Sequence, residues 1–224
     1  MEKIIASLKK IIPQKLFSFA RPAYHFALAF LGALFYRFPS RHIVVIGVTG
    51  TKGKTTTVEL ISSIFEESGA RVASLSSLRV KIGDEETPNA SKMTMPGRFF
   101  IQKFLRDAVR KKCSYAILEV TSQGIAQFRH RFITFRTGLV TNVAPEHIEA
   151  HGSFENYLRT KLDLFWRLPK NGFAIINEDD PYRDRFAAAT VAQRIYYGKS
   201  SLHSPTHQWI IDDAQASGVG INFL

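Results

Sequence analysis

Gly47-Val-Thr-Gly-Thr-Lys-Gly-Lys-Thr-Thr-Thr57 gathers three glycines, two lysines and a row of hydroxyls into one short stretch. Such residues hold a multiply charged phosphate. Glycines let backbone N–H groups converge on phosphate oxygens. Lys54 is placed to reach the β- and γ-phosphates, and Thr55 offers a hydroxyl to Mg²⁺. A helix starting here turns its positive end toward the same anion. The strict phosphate-loop pattern wants glycine where this chain has Val48; its glycines stand at Gly47, Gly50 and Gly53. The context of a strand before and a helix after supports nucleotide binding all the same.

Two more residue types extend that chemistry. Glu119 ends a predicted strand in Leu118-Glu-Val-Thr-Ser-Gln-Gly124, and His147 follows another in Thr141-Asn-Val-Ala-Pro-Glu-His-Ile-Glu-Ala-His-Gly152. Alone, each reads as a solvated or capping residue. Beside a phosphate loop, a carboxylate and an imidazole suit a divalent cation. His147 and His151, four apart, also have zinc spacing, but the HExxH pattern of zinc proteases is absent, so zinc is not favoured.

The elements that must carry these residues read as follows. Residues 42–49 form a β-branched run, a buried strand. Val58, Ile61 and Phe65 make one stripe of a helix over 57–68, stopped by Gly69. Strands are predicted at 71–76, 114–120, 137–142 and 172–177, and helices at 98–112 and 154–167, with a loop or irregular hairpin over 77–97. Alternating strands and helices imply an α/β fold, P-loop NTPase-like, with a mostly parallel sheet and flanking helices. Ligands of such sheets bind at the C-terminal strand ends, where Glu119 falls. Residues 208–213 and 218–224 read as two arms of an antiparallel hairpin, so the domain at 43–224 reads as incomplete at its C-terminus.

Residues 1–42 differ in character. Pro22–Tyr36 is apolar except for His25, bracketed by Arg21 and Arg37. As a helix it spans about 22 Å, short of the roughly 30 Å bilayer core. A basic helix on the inner membrane face and a helix packed on the domain or on a partner both remain open. The net charge is +11, and residues 1–54, with nine basic residues and Glu2, supply +8 of it. The excess therefore belongs to an appendage, and no nucleic-acid motif accompanies it. The smaller basic clusters 98–112 and 129–136 read as solvated faces. The one cysteine, Cys113, excludes an internal disulfide framework.

The stretches GVTGTKGKTTT, LEVTSQG, TNVAPEHIEAHG, ENYLRTKLDLF and AIINEDD together resemble the Mur ligases in order and spacing. Thr94-Met-Pro and EHIEAHG followed by ENYLRTK resemble the branch that adds the third residue of the peptidoglycan stem. The resemblance implies a cytoplasmic, ADP-forming amide ligase using ATP and Mg²⁺, with a muramyl-peptide precursor and an amino acid as substrates. It implies that Thr49, Gly50, Thr51, Lys52, Gly53, Lys54, Thr55, Thr56, Asn142, Asn177 and Asp180 serve ATP. Thr55, Glu119, His147 and a carbamylated Lys161 would hold metal, with Lys54, Lys161, Glu119 and His147 catalytic. Thr94, Thr121 and Ser122 would face the muramyl substrate. The chain departs from the family where Lys52 replaces asparagine, Gln123 replaces histidine and Pro145-Glu146 replaces Arg-Asp. From its residues alone, Lys161 is an ordinary solvated helix lysine. Folylpolyglutamate- or cyanophycin-synthetase-like ligases, and a non-catalytic membrane-associated nucleotide-binding module, stay open as alternatives.

Overall fold

The computed structural model describes residues 14–90, 93–146 and 148–198, and the strands Gln208–Ile210, Ala214–Ser217 and Gly220–Phe223. Helix α1 (Gln14–Phe35) leads through a 3₁₀ turn at Pro39–Arg41 into β1 (Val44–Thr49). Then follow α2 (Lys54–Glu67), β2 (Val72–Leu75), β3 (Arg79–Ile82), β4 (Glu85–Pro88), α3 (Arg98–Arg110) and β5 (Tyr115–Glu119). Next come α4 (Ser122–Ala126), β6 (Phe135–Val140), α5 (Ile148–His151), α6 (Phe154–Trp166) and β7 (Phe173–Asn177). The order ends with α7 (Arg183–Ala188), β8 (Gln193–Gly198), β9 (Gln208–Ile210), β10 (Ala214–Ser217) and β11 (Gly220–Phe223).

Nine strands form one sheet in the order β4-β3-β2-β5-β1-β6-β7-β8-β9. The pairs from β2 through β9 are parallel, and the β3–β4 hairpin adds an antiparallel edge. The parallel α/β expectation holds. The hairpin predicted at the end differs: β9 joins β8 in parallel, and the antiparallel pair is β10 with β11. Alternation alone cannot distinguish a hairpin arm from a sheet-edge strand. The loop or irregular hairpin expected at 77–97 contains the β3–β4 hairpin.

Side-chain alternation places the site. On β1, Val45 points into the larger core with Phe104, Leu105, Leu158 and Phe165. Ile46 and Val48 point to the other face, where Val58, Ile61 and Phe65 of α2 cover them. On β5, Ile117 shares that α2 face. With a period of two, Glu119 must point the same way, toward the first turn of α2.

α1 packs on the domain. Ala29 and Ala33 are buried, and Gly32 lies against Phe99 of α3. Phe26 and Phe30 stack edge-on against Phe132, at centroid distances of 5.1 and 5.4 Å. Tyr24, Leu31, Leu34 and Phe35 stay exposed on the outer side. Among the described residues no helix is long and apolar enough to cross a membrane.

Candidate active site

The phosphate loop leaves the middle of the sheet, between β5 and β6. Gly53 caps α2 with φ of 81°, a left-handed conformation that favours glycine. The first helical hydrogen bond runs from the Thr57 N–H to the Gly53 carbonyl at 2.9 Å. The N–H groups of Lys54, Thr55 and Thr56 precede it at the positive end of the helix, the geometry of an anion cradle. Lys54 Nζ folds back to donate to the Thr51 carbonyl at 2.8 Å.

The amides of Thr51 and Lys52 do something else. They donate to the Asn142 backbone carbonyl at 2.8 Å and to Asn142 Oδ1 at 3.0 Å. Asn142 Nδ2 and Thr141 Oγ1 both donate to the Lys52 carbonyl, at 3.1 and 2.7 Å. The Thr51 hydroxyl accepts from the Ala144 N–H at 2.9 Å and shares a 2.9 Å hydrogen bond with the Tyr157 hydroxyl. The segment after β6 thus clamps the loop from behind.

Oxygen ligands meet beside the cradle. Thr55 Oγ1 donates to Glu119 Oε2 at 2.9 Å, and the same carboxylate oxygen accepts from the Ser77 N–H at 3.0 Å. The Ser77 hydroxyl hydrogen-bonds Thr94 Oγ1 at 2.8 Å. A hydroxyl and a carboxylate in contact at a phosphate loop form the hard-oxygen donor set that Mg²⁺ prefers. Replacing Glu119 by Gln keeps the shape and removes the charge, so the affinity of this corner for Mg²⁺ should fall about tenfold or more. A magnesium titration of the two proteins checks this.

Lys161 lies on α6 and is 1% exposed. Its Nζ donates to the Gly50 carbonyl at 2.6 Å and lies 4.5 Å from the centre of the Tyr157 ring. Burial, with a smaller push from Lys54, lowers its pKa to about 7, against the opposing pull of Glu146. Burial likewise lowers the Lys54 pKa, opposed by Glu119 and Glu146.

A cavity of about 580 Å³ joins these groups. Gly50, Thr51, Lys52, Gly53, Lys54, Thr55, Thr56, Glu119 and Lys161 line it, together with Thr94, Thr121 and Ser122 on the expected substrate side. The Thr121 side chain caps α4 by accepting from the Gly124 N–H at 3.0 Å. Ser122 Oγ lies 3.1 Å from His151 Nε2. Met95 packs against the Cα of Gly124, where a Cβ would lie 3.1 Å from its Cγ, and so holds the Thr94 segment against α4.

Thr49, Asn142, Asn177 and Asp180 do not line the cavity. Asn177 Nδ2 donates to the Thr141 carbonyl at 2.7 Å. Asp180 accepts from the Val143 N–H at 2.6 Å and the Tyr182 N–H at 2.8 Å. These side chains brace the strand ends behind the loop. His147 lies outside the described residues. Sequence reasoning missed Ser77, Tyr157, Glu146 and Arg129, all of which line the cavity. Arg129 belonged to a cluster read as a solvated face. Instead its guanidinium donates to the Met95 carbonyl and, at 2.7 Å, to Gln127 Oε1.

Comparison with known proteins gives concordant matches. Residues 48–223 match the family described as the Mur ligase middle domain. A Chlamydia caviae protein named UDP-N-acetylmuramoyl-L-alanyl-D-glutamate–2,6-diaminopimelate ligase is 36% identical over 168 residues, 75% of this chain and 34% of its own length. A protein of the same name from Syntrophomonas wolfei is 38% identical over 173 residues, 76% of this chain and 35% of its own. A solved structure carrying that name superposes with a TM-score of 0.71 at 25% identity, over 86% of this chain and 40% of that one. The MurF ligase from Thermotoga maritima, solved with ADP, shares the fold at a TM-score of 0.58 and 22% identity, over 79% of this chain and 37% of that one. The chain spans about a third of the length of the curated relatives.

Proposed function

The chain belongs to the Mur ligase family, and from that premise we propose that it supplies the ATP-binding and acyl-activating part of a ligase that extends a muramyl peptide by one amino acid. The observation that carries this reading is the Thr55–Glu119 contact at the mouth of the phosphate loop, in one cavity with Thr94, Thr121, Ser122 and Arg129. The loop and its oxygen donors suit a triphosphate and its cation, and the remaining hydroxyls and the guanidinium suit an acidic acceptor.

In this reading the acceptor carboxylate attacks the γ-phosphorus of ATP, forming an acyl phosphate and releasing ADP. The amine of the incoming amino acid then attacks the acyl carbon, forms the amide and expels phosphate. The cradle amides and Lys54 hold the phosphates while two anions approach, which electrostatic stabilisation makes feasible. Thr55 and Glu119 would hold Mg²⁺, which supplies further charge neutralisation at the phosphoryl oxygens. Arg129 orients the acceptor. ADP release by the full-length gene product, with UDP-linked muramyl dipeptide and a panel of amino acids, tests the reading. Activity with a folate or an aspartate polymer instead would replace the acceptor class, and ATP binding without turnover on any acceptor would favour the binding module.

Lys161 acts as a carbamate in this proposal. A neutral amine adds CO₂ and loses a proton, giving an anion. Only the neutral amine reacts, so a pKa of about 7 favours carbamate at neutral pH, where an exposed lysine would stay protonated. Carbamate should be nearly absent a unit or so below about pH 7 and should grow as pH rises. With ¹³C-labelled CO₂, a carbamate carbon signal that Lys161→Met removes is the expected result. The same shift makes the unfolded chain bind the extra proton between about 7 and the ordinary lysine value of 10.5. The Lys161 contribution to stability therefore increases with pH across that window.

We also propose that α1 lies at the inner membrane surface, a reading supported by its exposed Tyr24, Leu31, Leu34 and Phe35 and the basic residues around it.

A further inference from the structure

α1 and α3 lie side by side. Arg98, at the start of α3, reaches His25 Nδ1, midway along α1, at 2.5 Å, and Gly32 sits against Phe99 further along. Where the two helices end, Phe35, Tyr36 and Arg37 face Arg106 and Arg110 across a notch of about 320 Å³. Arg106 and Arg110 are one helical turn apart on α3, so both guanidiniums reach the same side. Asp107, on the same helix, pairs with Lys103 at 2.6 Å and with Arg110 at 3.7 Å. Arg37, Lys103, Arg106 and Arg110 against Asp107 leave this end of the helix pair at +3.

The notch adjoins the outward apolar face of α1. Leu31 and Leu34 are about half exposed and Phe35 is 72% exposed; Phe99 and Phe100 of α3 are each about two-fifths exposed nearby. Exposed aliphatic and aromatic side chains beside concentrated arginines are poorly suited to water and well suited to a boundary between hydrocarbon and phosphate. The sequence before α1 also carries Lys3, Lys9 and Lys10.

We propose that the Arg37–Arg106–Arg110 notch is an anionic phospholipid headgroup site, and that the α1–α3 face docks flat on an acidic bilayer with Leu31, Leu34 and Phe35 in its outer hydrocarbon. This deepens the surface placement of α1 given above and is independent of the ligase reading. The notch takes a lipid phosphate by charge-assisted hydrogen bonds, and the leucines and Phe35 supply apolar burial.

The test is flotation of the full chain with vesicles of phosphatidylcholine alone or mixed with phosphatidylglycerol. The expected result is binding to the mixed vesicles, weakened by added salt. Arg106→Gln/Arg110→Gln should weaken binding about twenty-fold or more, at roughly fivefold per basic residue near an anionic surface. Leu31→Ser/Leu34→Ser should also release the chain from vesicles. All four positions are at least partly exposed, so thermal melting and ATP binding serve as controls for intact folding. Equal binding to both vesicle types, or undiminished binding by the arginine variant, would overturn the headgroup site. A chain that ignores vesicles but sediments as a dimer until Leu31 and Leu34 are changed would assign the face to a second copy instead.

Discussion

Replacing Lys54 by Met should lower kcat/KM of the complete ligase by about a thousandfold or more while leaving the protein folded. Removing one neutral donor from a preorganised oxyanion site costs about 10²–10³ in rate, and Lys54 adds a full charge close to the cradle. Its stability effect has the opposite sense. Burial already lowers the Lys54 pKa, so the fold holds this ammonium at a cost. The Met variant should melt at the same temperature as the parent or higher, the usual trade between a functional charge and stability. A second consequence follows because Lys54 helps lower the Lys161 pKa. Without it, carbamate should form only at higher pH. Steady-state ADP release, a melting curve and the ¹³C carbamate signal read the three effects separately. Near-parental turnover by the Met variant would remove Lys54 from the mechanism.

Gly50→Ala should abolish measurable ATP binding and also destabilise the fold. Gly50 has φ of 149°, and a Cβ there would overlap Thr141 Oγ1 and lie 3.1 Å from Thr141 Cβ and 3.2 Å from the Asn142 nitrogen. Backbone strain of about 1–3 kcal/mol adds to overpacking of similar size. The carbonyl that Lys161 uses moves with the loop. Gly53→Ala is the informative contrast. Its φ of 81° is strained too, but the nearest atom to its Cβ is Thr141 Cβ at 3.9 Å. It should cost about 1–2 kcal/mol and weaken binding only modestly. Calorimetric titration with ATP–Mg²⁺ ranks the parent, Gly53→Ala and Gly50→Ala in that order. Equal affinities would show that the loop backbone does not form the anion site.

The parts of the site legible in the sequence were those whose chemistry is local. Glycines and hydroxyls in one short run reveal a phosphate loop because neighbouring residues make it. Glu119 was legible because strand ends and a period of two fix its direction. Lys161 was not. On α6 it is followed by Leu162 and Asp163 and preceded by Arg159 and Thr160, an ordinary polar helix segment, and only the packing of α6 under the loop buries it. Arg129 was hidden for the reverse reason: its neighbours Arg131 and Arg136 made a charge cluster, and the turn after α4 folds its side chain inward. α4 and α7 went unread because five or six residues are too few to show a helical period. For α1, apolarity and flanking charge pointed to an interfacial helix, while Ala29, Gly32 and Ala33 determine which side rests on the domain.

The clamp behind the phosphate loop bears on how a nucleotide is captured. The backbone from Gly50 to Lys52 is held by Asn142, Thr141 and Lys161, and the Thr51 hydroxyl by the Ala144 N–H. These bonds fix the curvature of the loop from within the protein, and Lys54 has only to leave the Thr51 carbonyl to reach a phosphate. Arrival is then governed by diffusion and by the attraction of the basic loop, and differences in affinity between nucleotides appear in residence time.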